Sequence, residues 1–204
     1  IFSADVFGQQ VRSILLEKLQ QGVQVFLVYD WLGSIWAHYR GFFRPLLAAG
    51  AQIRPYNKIG LTTGISLLSR NHRKSIIVDE RVAFVSGLCI SAQWNGNEAD
   101  GISPWRDTGV KLTGSIVAQV SAAFADTWAA LGSPMPRLDQ DPAHNNSTDA
   151  DANSTTDAKN TQGTAAARVV ATTPADANMM RLDLIAISLA RKNLWITDAY
   201  FMPT

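Results

Sequence analysis

Residues 6–30, VFGQQVRSILLEKLQQGVQVFLVYD, decide the fold class because a helical periodicity gives way to a strand pattern across one glycine. Apolar side chains recur at spacings of three and four over residues 6–19, which predicts an amphipathic helix with Asp5 as its N-cap. Gly22 ends this helix, and the β-branched and aromatic run at residues 23–29 predicts a strand. This helix-to-strand order is typical of α/β layer architectures.

The same unit recurs along the chain, so we expect an α/β fold class throughout. Residues 35–49 are predicted to form a second helix, and a short strand at residues 52–56 follows Gly50. The other predicted elements before residue 134 are a hairpin of strands at residues 74–78 and 82–85, a strand at 105–112 and a helix at 115–131.

A compositional change divides the chain. Residues 139–166 contain no Val, Ile, Leu or aromatic residue, so burial cannot offset the entropy of ordering them. We expect a disordered low-complexity linker over residues 135–166, between a first domain at residues 1–134 and the start of a second domain at residues 167–204. Within that second domain the helix-to-strand order restarts, with a helix predicted at 179–189 and a strand at 194–197.

Composition limits the classes of function. The 204 residues are 47% hydrophobic, enough for one sizeable core, and 18 Lys and Arg against 17 Asp and Glu leave a net charge of +1. No global field therefore attracts nucleic acid, and any recognition of anions must be local. The single cysteine excludes an intrachain disulfide and favours a reduced, cytosol-facing location. No apolar run is long enough to cross a bilayer, and both ends look as though further residues adjoin them.

The candidate catalytic residues lie at residues 72–79, His-Arg-Lys-Ser-Ile-Ile-Val-Asp. Residues two apart on an extended strand project to one face, so His72 and Lys74 point together while Arg73 points away. A neutral imidazole can attack phosphorus, and an adjacent ammonium can stabilise the charge that develops on the phosphate oxygens. Taken alone, such a pair is common on strands, and the wider sequence context is what favours a functional role.

That context is the stretch RNHRKSIIVDERVAFVSG at residues 70–87, which resembles the HxKxxxxD signature of the phospholipase D superfamily. The flanking Arg and Asn suit the bacterial cardiolipin synthase branch of that superfamily. Other segments are similar to the same family in the same order, at residues 22–30, 105–109, 124–128 and 190–203. The resemblance therefore covers most of the chain outside the linker.

The resemblance implies a phospholipase D-like α-β-α sandwich, of which this chain has the first half and the start of the second. In that family two HKD motifs meet at one site, one His attacking and the other acting as acid, without metal or cofactor. We expect the second motif in the same full-length chain, whereas a homodimer that builds one site from two chains is less favoured. The implied catalytic residues are His72, Lys74 and Asp79, with Asp79 holding the hairpin rather than acting as base.

Four further residues are expected to contact substrate: Ser86, Gly87, Arg106 and Asp30. Ser86 and Gly87 match the small-residue pair that follows the family motif. Arg106 has two interpretations, a site-mouth cation or a member of a structural ion pair with Asp107. Asp30 lies at the carboxyl end of a strand, where α/β sheets gather their ligands.

Two features point away from direct catalysis. Cys89 stands where the family usually has a phosphate-binding Asn, and we interpret it as a buried small hydrophobe. The aromatic cluster of the second helix either contacts lipid or packs into the core, and core packing is the stronger interpretation; its members are Trp31, Trp36, Tyr39, Phe42 and Phe43.

The sequence therefore predicts a phosphatidyltransferase that acts on a phospholipid such as phosphatidylglycerol through a phosphohistidine, at the cytoplasmic membrane surface and without nucleic acid. The first alternative is a phospholipase D-type phosphodiesterase, since water in place of an alcohol acceptor turns transfer into hydrolysis. A non-catalytic half-domain, suggested by Cys89, and a nuclease, disfavoured by the charge, are less favoured.

Overall fold

The structure is a computed structural model that describes residues 1–58, 70–136, 165–172 and 177–196. The chain divides into two units, Ile1–Ala167 and Arg168–Thr204. The helices of the first unit are α1 (Val6–Gln20), α2 (Ile35–Tyr39), α3 (Arg44–Ala48), α4 (Ala92–Asn95) and α5 (Ile116–Ala130), with a 3-10 turn at Glu98–Asp100. Its strands are β1 (Phe26–Asp30), β2 (Gln52–Tyr56), β3 (Ser75–Val78), β4 (Val82–Ser86) and β5 (Gly109–Thr113).

Two strand groups form the sheet structure of the first unit. β1 and β2 are parallel, in a register that runs from Phe26 opposite Gln52 to Asp30 opposite Tyr56. β3, β4 and β5 form an antiparallel group in that order. Parallel strands joined through helices, together with an antiparallel hairpin, confirm the predicted α/β class.

Helices cover β1 on both faces because its side chains alternate. Phe26 contacts Trp128 of α5 with ring centroids 5.4 Å apart. Tyr29 has the opposite parity and stacks on Phe43, at the start of α3, at 4.2 Å. The carboxyl end of β1, where Asp30 lies, is therefore fixed between two helical layers.

Helix α5 joins the two strand groups. It packs against β3, β4 and β5, while Trp128 in its last turn lies under Arg54 of β2, whose guanidinium carbon is 4.0 Å from the ring centroid. Arg54 also donates to the backbone oxygens of Trp128 at 2.6 Å and Ser133 at 2.7 Å. This combination of cation–π contact and hydrogen bonds ties the helix end to the parallel strands.

The N-cap prediction for α1 is confirmed, and Asp5 does more than cap. Its Oδ1 accepts from the Gly8 amide at 2.9 Å. Its Oδ2 accepts from the Ala92 amide at 2.7 Å and from the Ser91 hydroxyl at 3.1 Å. One carboxylate therefore holds the first turns of α1 and α4 together.

Three predicted elements have different bounds in the structure. The helix expected at residues 35–49 is two short helices, because Gly41 turns the chain at φ +70° and Pro45 opens a new first turn. β1 begins at Phe26 rather than residue 23. β5 begins at Gly109 rather than residue 105, because Trp105 instead packs on the Trp94 ring at 4.8 Å.

The core prediction for the aromatic cluster is confirmed for Trp31, Phe42 and Phe43, which are buried with Phe2 and Leu46. It is wrong for the other two members. Trp36 is 73% exposed and Tyr39 is 68% exposed. A helix of five residues buries one face, and these two side chains lie on the other face.

The described part of the second unit contains one helix, α6 (Asn178–Leu189), close to its predicted bounds. Residues 194–196 are not a strand in the structure, so that prediction is wrong for the residues described. Residues 197–204, residues 59–69 and most of the predicted linker, residues 137–164, lie outside the described residues. Within the described ranges, no helix is both long and apolar enough to cross a membrane.

We predict that Trp128→Ala lowers the free energy of unfolding by about 3 kcal/mol, because it removes the ring that contacts both β1 and β2. Chemical denaturation followed by circular dichroism measures the change. Asp126→Ala, at an exposed position two residues earlier on α5, is the matched control and should cost less than about 0.5 kcal/mol. Equal losses in the two variants would contradict the bridging role of Trp128.

Candidate active site

The antiparallel group gathers most of the predicted site residues at one end. The amide of Ser86 donates to the backbone oxygen of Lys74 at 3.2 Å, which extends the β3–β4 pairing by one residue. On the other side Ser86 lies opposite Gly109, the first residue of β5. Lys74 and Ser86 are therefore cross-strand neighbours, with Gly87 and Arg106 at the same end of the sheet.

The backbone that leads into His72 is held by Asp30. The Asp30 carboxylate is 4% exposed and accepts two hydrogen bonds from Nε of Arg70 at 3.0 Å and one from its Nη2 at 2.8 Å. It also accepts from the amides of Asn71 at 2.9 Å and Gly33 at 2.7 Å. We call this arrangement of Asp30, Arg70, Asn71 and Gly33 the Asp30 clasp.

The clasp sets the charge state of Asp30. Burial alone would raise the pKa of this carboxyl, but the hydrogen bonds and positive charge of Arg70 and the two backbone amides outweigh burial. The pKa of Asp30 therefore lies below its ordinary value, and the carboxylate is charged at neutral pH. Because its oxygens already accept from the protein, these contacts favour a positioning role over direct contact with substrate.

A second anchor fixes the residue after His72. Arg73 extends to α5, where its guanidinium donates to the Ala123 oxygen at 2.9 Å and to the Thr127 hydroxyl at 2.6 Å. The Asn71 side chain accepts from the Arg73 amide at 3.0 Å. Arg73 therefore contacts α5, although residues 72–74 precede β3 and are not the strand that the parity argument assumed. The residues on both sides of His72 are held by different elements.

His72 itself is exposed while Lys74 is half-buried. The Lys74 ammonium donates to the His72 backbone oxygen at 2.8 Å. Partial burial lowers the pKa of His72, and the positive charges of Lys74 and Arg70 lower it further, against a smaller opposite effect from Asp30. The imidazole is therefore neutral at neutral pH, the form that can act as a nucleophile.

The small-residue pair after β4 is shaped by Asp107. The Gly87 amide donates to Asp107 Oδ1 at 3.0 Å, and a Cβ added at Gly87 would come within 2.6 Å of that carboxylate. The Ser86 hydroxyl accepts from the Leu88 amide at 3.2 Å. Since Asp107 binds backbone amides, including that of Thr108 at 2.6 Å, it fixes the chain beside exposed Arg106.

Asp79 lies at the opposite end of the hairpin. It and Glu80 have φ values of 51° and 55°, as the two central residues of a type I′ turn require, and the Arg81 amide donates to the Val78 oxygen at 3.0 Å. The predicted hairpin is confirmed. About five residues of extended chain, roughly 16 Å, separate Asp79 from Lys74, so its position suits a turn residue rather than a group at the site.

Cys89 is 3% exposed and free, so its interpretation as a buried small hydrophobe is confirmed. It directly precedes Ile90, whose backbone pairs with Ile1 and Ser3. A thiol so buried is not placed to react. In the part of the chain that the structure describes, no group of three or more His, Cys, Asp and Glu side chains could hold a metal ion.

Sequence reasoning missed what two residues hold: it used Arg70 only as part of the family resemblance, and it placed Asp107 at the site mouth or in an ion pair with Arg106, whereas the structure places them on Asp30 and on the Gly87 amide. A signal existed for each. A lone carboxylate at the end of a buried strand needs a cationic partner, and Arg70 stands two residues before the candidate nucleophile. Asp107 precedes β5, and Gly87 follows β5's neighbour β4; a glycine beside a strand often marks a close approach of another group.

Cardiolipin synthase A of Pseudomonas aeruginosa is 32% identical to this chain over 209 residues, covering 98% of the chain and 38% of the relative. The chain is similar to bacterial cardiolipin synthases. Cardiolipin synthase 1 of Bacillus anthracis is 31% identical over 206 residues, and cardiolipin synthase A of Pseudomonas fluorescens is 29% identical over the same length. In both, the alignment covers 100% of the chain and 39% of the relative.

The chain therefore spans about two fifths of the length of the cardiolipin synthases that it matches. The similarity supports a cardiolipin synthase-like piece, in agreement with the family resemblance of the sequence. No protein-family model matches the chain, and no solved structure matches it.

We predict that Asp30→Asn lowers the free energy of unfolding by about 2 kcal/mol at neutral pH, because Arg70 loses its ionic partner and the clasp its charged acceptor. Since the pKa of Asp30 is lowered by folding, this stabilisation is present above the ordinary Asp pKa and is lost as pH falls through the folded value. Asp79→Asn, on the exposed turn, is the control and should change stability by less than about 0.5 kcal/mol. A difference between Asp30→Asn and wild type that does not shrink in acid would contradict this.

We predict that the pKa of His72, measured by NMR titration of its imidazole protons, lies below the ordinary value of 6.5. Lys74→Met should raise it, because a nearby positive charge is removed. Arg81→Met, at the far end of the hairpin and beyond the roughly 10 Å reach of unscreened charge, should leave it unchanged. His72→Gln assigns the resonance, and an unshifted His72 pKa in Lys74→Met would contradict the electrostatic coupling.

Proposed function

We propose that this chain supplies the first half of a phosphatidyltransferase active site, in which His72 attacks the phosphorus of a phospholipid and Lys74 binds the phosphate oxygens. The observation that carries the proposal is an exposed, neutral His72 whose flanking backbone is anchored to β1, α5 and β4 beside the Lys74 ammonium. The similarity to cardiolipin synthases over the whole chain gives independent support.

The first chemical step exchanges one bond to phosphorus for another. A nitrogen of the neutral His72 imidazole attacks the phosphodiester phosphorus, a P–N bond forms, and the P–O bond to the headgroup alcohol breaks. The alcohol leaves with a proton that an acid from a second half would supply. In the second step an acceptor hydroxyl attacks phosphorus, the P–N bond breaks, and the proton of the acceptor returns to the same group.

Positive charge at this end of the sheet stabilises the transition state. Among the residues that the structure describes, the Lys74 ammonium donates to a neutral carbonyl, that of His72, and a non-bridging phosphate oxygen is a stronger acceptor for it. Arg106 is exposed at the start of the segment that Asp107 fixes, and we assign it to the phosphate or headgroup side. Ser86 and Gly87, next to Lys74 across the hairpin, line the floor of the site.

We place residues 1–134 in a first phospholipase D-like domain of α-β-α layers and residues 167–204 at the start of a second. The helices on both faces of β1 support this layering. The remaining site, with a second His, Lys and Asp set, is expected elsewhere in the full-length chain. The substrate we propose is phosphatidylglycerol, taken from the cytoplasmic face of the membrane without cofactor.

Hydrolysis is the alternative that shares this first step. Water and an alcohol compete for the same phosphohistidine. Lys74 is assigned to the phosphate and not to the acceptor, so it does not distinguish transfer from hydrolysis. Product analysis separates the two functions, because transfer between two phosphatidylglycerol molecules yields cardiolipin, whereas hydrolysis yields phosphatidic acid.

The experiment follows glycerol release and lipid products from phosphatidylglycerol vesicles with the full-length protein. We predict that His72→Ala reduces glycerol release by at least about a thousandfold, since covalent catalysis at phosphorus is lost. The wild-type enzyme should also form an acid-labile phosphoprotein that His72→Ala does not form.

His144→Ala is the matched control, because His144 lies in the predicted linker and should leave turnover unchanged. Undiminished turnover in His72→Ala would remove His72 from its role. A wild-type full-length protein that releases no glycerol would instead favour the non-catalytic half-domain.

A further inference from the structure

We propose that an exposed surface formed by α2, its C-cap and the start of α3 docks on an anionic phospholipid membrane; it is defined as Trp36, Tyr39, Arg40 and Arg44 and called here the α2 surface. Trp36 and Tyr39 are 73% and 68% exposed, although aromatic side chains of this size are usually buried. They are three residues apart on one helix, and Arg40 follows Trp36 by four, so the three side chains share a helical side.

The α2 surface pairs aromatic rings with positive charge. Trp36 and Arg40 line one open cleft, and Arg44 folds back over Gly41, where an added Cβ would come 3.0 Å from its side chain. Tyr39 is held from beneath by the buried Trp31 ring at 6.2 Å. Trp and Tyr rings favour the membrane–water boundary, and arginines bind lipid phosphates, so this combination fits an anionic lipid surface.

Charge distribution along the chain favours the same partner. Residues 31–78 contain seven of the 18 Lys and Arg residues and none of the 17 Asp and Glu residues. The near-zero net charge therefore conceals a cationic stretch that includes α2 and α3; of its seven charges, that of Arg70 is paired with Asp30. The Lys58 charge also reaches α2, because it helps burial to lower the pKa of His38. An anionic bilayer attracts a protein surface on which positive charge is not balanced by negative charge.

The α2 surface is connected to the Asp30 clasp. Gly33, three residues before Trp36, donates to Asp30, and a Cβ at Gly33 would come 3.1 Å from Nη2 of Arg70. His72 follows Arg70 by two residues, at most about 7 Å of chain. A membrane held at α2 would therefore deliver lipid headgroups close to His72. This last step rests on the proposed function, whereas docking itself rests on the composition and exposure of the surface.

The test measures binding of the full-length protein to vesicles in flotation assays, with vesicles of phosphatidylcholine alone and of phosphatidylcholine mixed with phosphatidylglycerol. We expect the pair Trp36→Ala and Tyr39→Ala to weaken binding to the mixed vesicles by roughly tenfold or more. Arg40→Ala and Arg44→Ala should each weaken it about fivefold and have little effect with phosphatidylcholine alone.

Matched controls keep the result interpretable. Ile14→Ala, at an exposed apolar position on α1, should bind as wild type does. Brominated acyl chains should quench tryptophan fluorescence of the wild type more strongly than that of Trp36→Phe, which places the ring in the lipid. Vesicle binding of the α2-surface variants and glycerol release by His72→Ala are measured separately, so failure of membrane docking and failure of the catalytic proposal give different results.

Three outcomes would overturn the proposal. Unchanged vesicle binding in the aromatic and arginine variants would exclude the α2 surface as a membrane contact. A shift from dimer to monomer in the same variants, with vesicle binding intact, would make a second copy of the chain the occupant. Loss of single-stranded DNA binding in Arg40→Ala and Arg44→Ala, again with vesicle binding intact, would make the partner a nucleic acid.

Discussion

The buried carboxylate of Asp30 is the constraint on which the arrangement of the site depends. It lies at the end of β1, a strand covered by α5 on one face and by the α2–α3 region on the other, so it cannot move without disturbing both layers. Burying a charge is costly unless it is paired and hydrogen-bonded, and here Arg70 and two amides meet that cost. The same contacts that stabilise the carboxylate fix the backbone that enters His72.

Three separate elements therefore hold the short segment at residues 70–74. β1 holds Arg70 and Asn71, α5 holds Arg73, and β4 holds the backbone of Lys74. His72 is exposed, yet its neighbours have little freedom, and such positioning reduces the entropy lost when a reacting group must meet its substrate. The layers around β1 therefore fix the position of this segment, and the exposed imidazole is the group to which we assign the proposed attack on phosphorus.

Local periodicity predicted the elements whose formation is local. The bounds of α1, β2 and α5, the N-cap at Asp5 and the hairpin turn at Asp79 all follow from spacing, capping and turn chemistry. The break between α2 and α3 was missed because an apolar pattern continues through Gly41. The exposure of Trp36 was missed because a sequence does not reveal which face of a short helix remains uncovered.

The candidate site was also predicted from the sequence only in part. The family resemblance predicted His72, Lys74, Ser86 and Gly87 as site residues, and strand register places Lys74, Ser86 and Gly87 at one end of the sheet. The sequence indicated that Asp30 needs a cationic partner, but it did not identify Arg70 as that partner, because the two are 40 residues apart and no spacing rule relates them. The Asp30 carboxylate, predicted to contact substrate at a strand end, forms an ion pair with Arg70 in the structure.

Two requirements at this site oppose each other, and the arrangement of charges meets both. A phosphodiester needs positive charge nearby, whereas a nucleophilic imidazole must stay unprotonated. Lys74 and Arg70 supply the positive charge, and that charge, together with partial burial, lowers the pKa of His72. Asp30 opposes this lowering of the His72 pKa, but its effect is smaller, and its carboxylate is paired with Arg70. The cations that would attract a phosphate therefore also favour the neutral form of His72, which the proposed attack on phosphorus requires.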